Sequence, residues 1–346
     1  MNKKKVLINV AILIAVVLLT IYYLVRKEVL NRESLKSFSI LVLFLGFAVY
    51  LFSVVVYSLC HYSCVKPTMS TFSYKNAFSD LIFGRLGSDI TPFRSGHFPL
   101  RIYYYLKSGF SFYEGLSAVT KTQIIASFSS VINYGVIFII LTIYPITVNI
   151  MKIDVNLNLV VGVGALFHIG SLILAFLLAF VKPFQKLCIN LVAKIRYRKN
   201  AQQREVFIND QTLKYLVYRE QVQSILKKPY IYLISIITYI AYMYLSGSFS
   251  YLAYMLTTGQ CFVLNEFIKF YLFTICITYI SNVIPIPGGN GSSEALFLLV
   301  FSSVIVESEI GATLLLWRII SYYLPVMFGA LYFVCFAIIK GKRTII

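Results

Sequence analysis

The apolar positions fall into long runs separated by short polar stretches, and the runs match bilayer dimensions. Val6 to Val25 follows Lys3, Lys4 and Lys5 and is about 20 residues long, enough to cross ~30 Å of hydrocarbon. It exceeds a signal-peptide core and no small-x-small cleavage site follows it, so it reads as a retained first span. Further runs are 38–60, 116–144, 157–181, 230–257, 267–284, 295–306 and 312–339. The runs at 267–284 and 295–306 are short and flank a Pro/Gly-rich break. The pattern predicts an all-α polytopic membrane protein with about six full spans, two re-entrant hairpins and eight or so helices.

Composition agrees. Hydrophobic residues make up 59% and charged residues 13%, with a mean hydropathy of +0.80, which excludes an ordinary soluble globule and a disordered chain. Lys and Arg number 31 against 13 Asp and Glu. On an apolar chain this excess points to anionic headgroups and to topology, not to nucleic acid.

The distribution of basic residues orients the chain. The segment 182–228 holds 11 Lys and Arg and three acids (Glu205, Asp210, Glu220), which predicts a cytoplasmic loop, partly an amphipathic helix. The N-terminal lysines and the tail Lys340, Lys342 and Arg343 put both termini on the same side. The loop 26–36, with four basic residues, disagrees, but parity places it outside. Four spans then precede the basic loop and two follow it. That leaves the segments 78–106 and 266–306 entering and leaving on one side each, from opposite faces. The organisation expected is one transmembrane domain over residues 1–346, with a first repeat (38–181), the basic loop (182–229) and a second, inverted repeat (230–340).

The two broken segments resemble each other at a fixed offset of 193. Ser88, Pro92 and Gly96 match Ser281, Pro285 and Gly289, and Arg101 falls opposite Glu294. Inverted repeats with helices broken by Pro and Gly at matching positions are the best sequence pointer to a transporter's midplane site. Pro92, Gly96, Pro285, Pro287, Gly288, Gly289 and Gly291 are the expected breaks. Half-helices starting there aim free N–H groups at the break and favour an anion. Asp89, Arg94, His97, Arg101, Glu294 and Arg318 are the expected substrate-binding residues, with Arg101 and Glu294 approaching each other. Asp80 and Arg85 are placed nearer the cytoplasmic entrance. Each ionised group costs at least ~2.5–3.5 kcal/mol facing lipid at the helix centre, so these must face inward or pair.

Other chemistry is thin. Cys60, His61 and Cys64 place three metal-capable groups in five residues, but no second half-site follows, and small buried thiols are the plainer reading. Tyr103, Tyr104 and Tyr105 read as interfacial belt and packing, and His168 as a packing residue. Lys121 and Gln123 read either as snorkelling or as cavity-lining. No GxxxxGK[ST] loop is present, and no metal, cofactor or catalytic residue is assigned.

Three ordered motifs carry a resemblance. Residues 89–105 (DITPFRSGHFPLRIYYY), 284–294 (IPIPGGNGSSE) and 317–325 (WRIISYYLP) are similar to the lysylphosphatidylglycerol synthase transmembrane family. Its members include the flippase half of the multiple peptide resistance factor. His97 departs from the small or polar residue usual after the first motif's glycine, and the soluble aminoacyl-transferase domain of full-length synthases is absent from the chain. The resemblance implies movement of an anionic, aminoacylated or otherwise polar phospholipid between the leaflets of a bacterial cell membrane. A membrane-embedded lipid-modifying transferase, with Asp89, His97 or Glu294 as general base, is one alternative. A membrane partner docking a separate lipid-modifying enzyme through the basic loop is the other. Oligomerisation is compatible with all three.

Overall fold

The computed structural model describes residues 39–341, apart from 151–152, 199 and 284–285. The first apolar run, the loop 26–36, Pro285, Lys342 and Arg343 lie outside the described residues.

Five described segments are long and apolar enough to cross a membrane: Ile40–Thr68, Phe112–Ile143, Leu157–Phe180, Pro229–Thr258 and Glu307–Lys340. They coincide with five of the six full spans expected. The first contains helix α1 (Ile40–Val65), which Ser39 caps by accepting the Val42 N–H at 3.2 Å. The second is α4 (Phe112–Ile143), opened by a capping box in which Ser111 and Glu114 satisfy each other's backbone N–H. A two-stranded antiparallel hairpin, β1 (Thr147–Ile150) with β2 (Ile153–Asn156), connects it to α5 (Leu157–Phe180). That hairpin was not anticipated from the sequence.

The basic loop is helical: α6 (Lys182–Arg196) and α7 (Ala201–Lys227). The next span is bent into α8 (Leu233–Gly247) and α9 (Phe249–Thr258), the latter ended by Gly259 in the left-handed conformation. The last divides into α12 (Glu307–Arg318), a π-helical turn (Ile319–Tyr323) and α13 (Leu324–Gly341).

Between these spans lie the two hairpins. The first is α2 (Tyr74–Asp89), a 3-10 turn (Pro92–Arg94) and α3 (His97–Lys107). The second is α10 (Leu264–Val283), a 3-10 turn (Pro287–Gly289) and α11 (Ser292–Phe301). At ~1.5 Å per residue α2, α3 and α11 reach only about 24, 16 and 15 Å, short of a ~30 Å core. Each hairpin's arms pack on each other and the two 3-10 turns touch. The described residues thus hold thirteen helices, more than the eight or so expected, because breaks and bends divide the apolar runs and the basic loop adds α6 and α7.

The order span, hairpin, span occurs twice, once from α1 to α4 and once from α8 to α13, with α5 as the additional crossing between them. The largest apolar core gathers both halves, from Tyr50 and Val54 to Phe270, Phe297, Phe301 and Trp317. Phe297 stacks on Phe301 at 4.2 Å and on Trp317 at 4.9 Å between ring centroids.

Candidate functional site

The two breaks share a backbone signature. Phe93 (φ 52°) and Arg94 (φ 54°) follow Pro92, and Gly288 (φ 63°) and Gly289 (φ 64°) follow Pro287. The next helices begin at His97 and Ser292, each directly after a glycine, Gly96 and Gly291. Structural equivalence therefore runs at an offset of 195, which corrects the 193 read from the sequence. Pro92 corresponds to Pro287, not to Pro285.

Small residues let the parts meet. A Cβ on Gly87 would lie 2.3 Å from the Gly96 carbonyl oxygen, and one on Gly96 would lie 2.5 Å from the Gly87 oxygen, so the arms of the first hairpin touch backbone to backbone. A Cβ on Gly288 would lie 2.0 Å from the Tyr322 ring.

The charges divide into two buried clusters and an exposed arginine at the first tip. In the first cluster Arg101, 1% exposed, grips Asp80, 0% exposed, at two points: Nε donates to Oδ1 and Nη2 to Oδ2, both at 2.6 Å. Arg101 Nη2 also donates to Thr122 Oγ1 at 2.7 Å, and its Nη1 donates to His97 Nε2 at 3.2 Å. His97 Nδ1 then carries the proton and faces the Gly84 carbonyl and Ser88 Oγ, each at 3.2 Å. His61 Nδ1 donates to Asp80 Oδ2 at 2.8 Å.

In the second cluster Arg318 Nε donates to Glu294 Oε1 at 2.8 Å and Nη2 to Asn290 Oδ1 at 2.6 Å. Glu294 Oε2 accepts the Gly291 N–H at 2.7 Å, so this carboxylate caps its own helix. Asn290 donates to Tyr322 Oη at 2.8 Å, and Tyr322 donates across the interface to the Asp89 carbonyl at 3.1 Å. The Arg318 guanidinium lies 4.5 Å from the Tyr322 ring centroid.

Arg85 stitches the halves together. Its Nε donates to Asp89 Oδ2 at 3.0 Å and its Nη2 to the Ser321 carbonyl at 2.6 Å, within the π turn. A π turn sets its carbonyls out of α-helical register, which offers one to a neighbouring donor. The adjoining hollow, walled by Tyr50, Tyr57, Leu81 and Tyr242, holds about 10 Å³, room for one water. The tips are closed on one another.

Arg94 differs from the others. It is exposed at the tip of the first hairpin and its side chain makes no hydrogen bond or ion pair among the described residues, although Asp89, Arg85 and Arg318 lie within electrostatic reach. The adjoining end of α3 has no side-chain cap, whereas Glu294 caps the end of α11.

The Arg101–Glu294 pairing expected from the sequence is replaced by two separate pairs, Arg101 with Asp80 and Glu294 with Arg318. Asp80 sits at the centre of the first cluster, not at an entrance. The partner expected for Arg318 from the second break is present. Lys121, fully buried, donates to Thr68 Oγ1 at 2.8 Å and does not snorkel. Asn290, Tyr322 and Thr122 were missed, Arg85 was placed at the entrance, and His61 was considered only as a metal-capable group. Tyr322 and Asn290 do lie inside the recognised motifs, and that was the available signal. Among the described residues no group of three His, Cys, Asp or Glu side chains converges on a metal position. Cys60 and Cys64 instead pack with Ile125 and Tyr232.

No curated protein matches the chain. A family model described as the lysylphosphatidylglycerol synthase TM region matches residues 6–329, and the chain belongs to that family.

Proposed function

We propose that this multi-pass membrane protein of lipid metabolism is a flippase, moving an anionic or aminoacylated phospholipid between the leaflets of a bacterial cell membrane. The observation that carries the reading is the meeting of two proline-led breaks, one from each half, with an unpaired arginine at the junction. Irregular backbone at membrane depth is tolerated where protein buries it or a wet cavity receives it. Arg94 and the uncapped end of α3 offer donors to a phosphate. Arg318 and Glu294 stand directly behind, ready to exchange their mutual contact for a headgroup's phosphate and amine. Asp89 holds Arg85 in place, and the Asp80–Arg101–His97 cluster keeps the first hairpin rigid.

With the tips closed, a headgroup passes only if the hairpins separate, and alternating access by rocking one repeat against the other supplies that movement. The basic helices α6 and α7 then lie on the cytoplasmic side with both termini. His97, one of the general bases a transferase reading would use, has both ring nitrogens engaged within the first cluster.

The test is leaflet-resolved. Purified protein in liposomes with labelled phosphatidylglycerol or its lysyl derivative should speed the appearance of label in the opposite leaflet, and Arg94→Gln should slow it. Equal exposure with and without protein would remove the flippase reading.

A further inference from the structure

Away from the hairpins, α4, α5, the end of α7 and the start of the Pro229–Thr258 span wall a cavity of about 450 Å³, within the range of small-molecule sites. Its lining is almost wholly carbon and includes Phe128, Ile173, Phe176, Leu226, Pro229 and Tyr232. Phe128, Ile173 and Phe176 are 45%, 55% and 51% exposed, so the cavity is open between spans on that side among the described residues. Tyr232 forms its inner wall at 1% exposure.

The rim at the α7 end is basic. Leu226 and Pro229, both lining residues, bracket Lys227 and Lys228, which are exposed. Two turns back on α7, the buried Arg219 Nε has no hydrogen-bond partner among the described residues. Behind Tyr232, the buried Lys121 ammonium lies 5.1 Å from the ring centroid, bonded to a threonine and not to a carboxylate. The neighbouring acid is Glu220, exposed on α7.

We infer that this cavity seats one acyl chain of an anionic phospholipid whose headgroup is held at the basic end of α7. Apolar walls alone give no preference within a bilayer, because the surrounding tails are as apolar as the lining. The charge at the rim supplies the selectivity, as basic pockets between spans do for anionic headgroups on the cytoplasmic side. The site is built from elements other than the hairpin tips and stands whether or not the chain moves lipid between leaflets.

Photolabelling of the purified full chain tests this. The probes are phosphatidylglycerol carrying a diazirine in its acyl chain and the matched phosphatidylcholine. The phosphatidylglycerol probe should label peptides of α4, α5 and α7 several-fold more than the phosphatidylcholine probe. Lys227→Gln combined with Lys228→Gln should bring the two lipids together, and Ile173→Trp, which fills the cavity, should remove the labelling. Equal labelling by both lipids in the unaltered chain would overturn the inference, as would undiminished labelling of a folded Ile173→Trp protein. A photoreactive benzoylphenylalanine at position 176 reads the occupant without altering the rim. A lipid adduct supports the inference, and an adduct with residues 6–25 or with a second copy overturns it.

Discussion

Arg101 meets Asp80 in a two-point grip, Nε on Oδ1 and Nη2 on Oδ2, each at 2.6 Å, with neither side chain more than 1% exposed. The pair joins the two arms of the first hairpin, and Thr122 ties it to the neighbouring span. Gly84 makes room for it, since a Cβ there would lie 2.8 Å from Arg101 Cδ. The first hairpin is therefore locked from inside by a charge pair and the Arg94 side chain at its tip is left unpaired among the described residues, while the second is locked at its tip by Glu294 and Arg318.

Removing one charge of the Asp80–Arg101 pair leaves the other buried and uncompensated. Asp80→Asn is expected to cost about 3–5 kcal/mol. The double change Asp80→Asn with Arg101→Gln should cost less than the two single changes together. Thermal melts of the purified variants check both, and strict additivity would show that the pair does not act as a unit.

Arg318→Lys should abolish most lipid movement while the protein still inserts and melts cooperatively. The guanidinium serves Glu294 and Asn290 through two nitrogens in a fixed fork, a geometry one ammonium cannot reproduce. Full movement by the Lys variant would mean that charge alone matters there.

Arg94→Gln should change the stability by no more than about 0.5 kcal/mol, as expected of an exposed side chain without a side-chain partner. Its effect should fall on transport, as a several-fold slower leaflet exchange in liposomes. A strong loss of stability with normal transport would assign Arg94 a structural role instead.

Gly288→Ala should destabilise the second hairpin by ~1–3 kcal/mol from the left-handed backbone alone. The Tyr322 ring must also move, since the new Cβ would lie 2.0 Å from it. Because Tyr322 bridges Asn290 to the Asp89 carbonyl, the variant should also loosen the contact between the tips. Faster proteolysis between residues 286 and 292 would register that change.

A single cysteine replacing Asn200 in a cysteine-free chain should stay unlabelled by an impermeant maleimide in intact cells and react once the membrane is opened. The motive is the net charge of +8 over residues 182–228. Labelling in intact cells would reverse the assigned sidedness.

The sequence by itself determined the five described spans and the breaks at Pro92 and Pro287. Hydropathy is a local property, so runs such as 157–181 mark a membrane helix wherever they later pack, and the observed α5 ends within one residue of that run. Proline likewise acts on its own backbone: it lacks an N–H and is tolerated in a helix's first turn but not in its interior, so Pro92 and Pro287 within Gly-rich stretches announced turns without any tertiary information. Only the tertiary structure decided which charges pair and in what register the halves correspond. Asp80 and Arg101 are 21 residues apart and Glu294 and Arg318 are 24 apart, so their meeting depends on how arms fold back and where helices cross. Matching glycines proved a false guide to register. In the first hairpin the left-handed positions, which glycine would ordinarily fill, are held by Phe93 and Arg94. Letter identity aligned Gly96 with Gly289, whereas the backbone aligns Arg94 with Gly289, because the sign of φ is set by the turn that must be made and not by the residue found there.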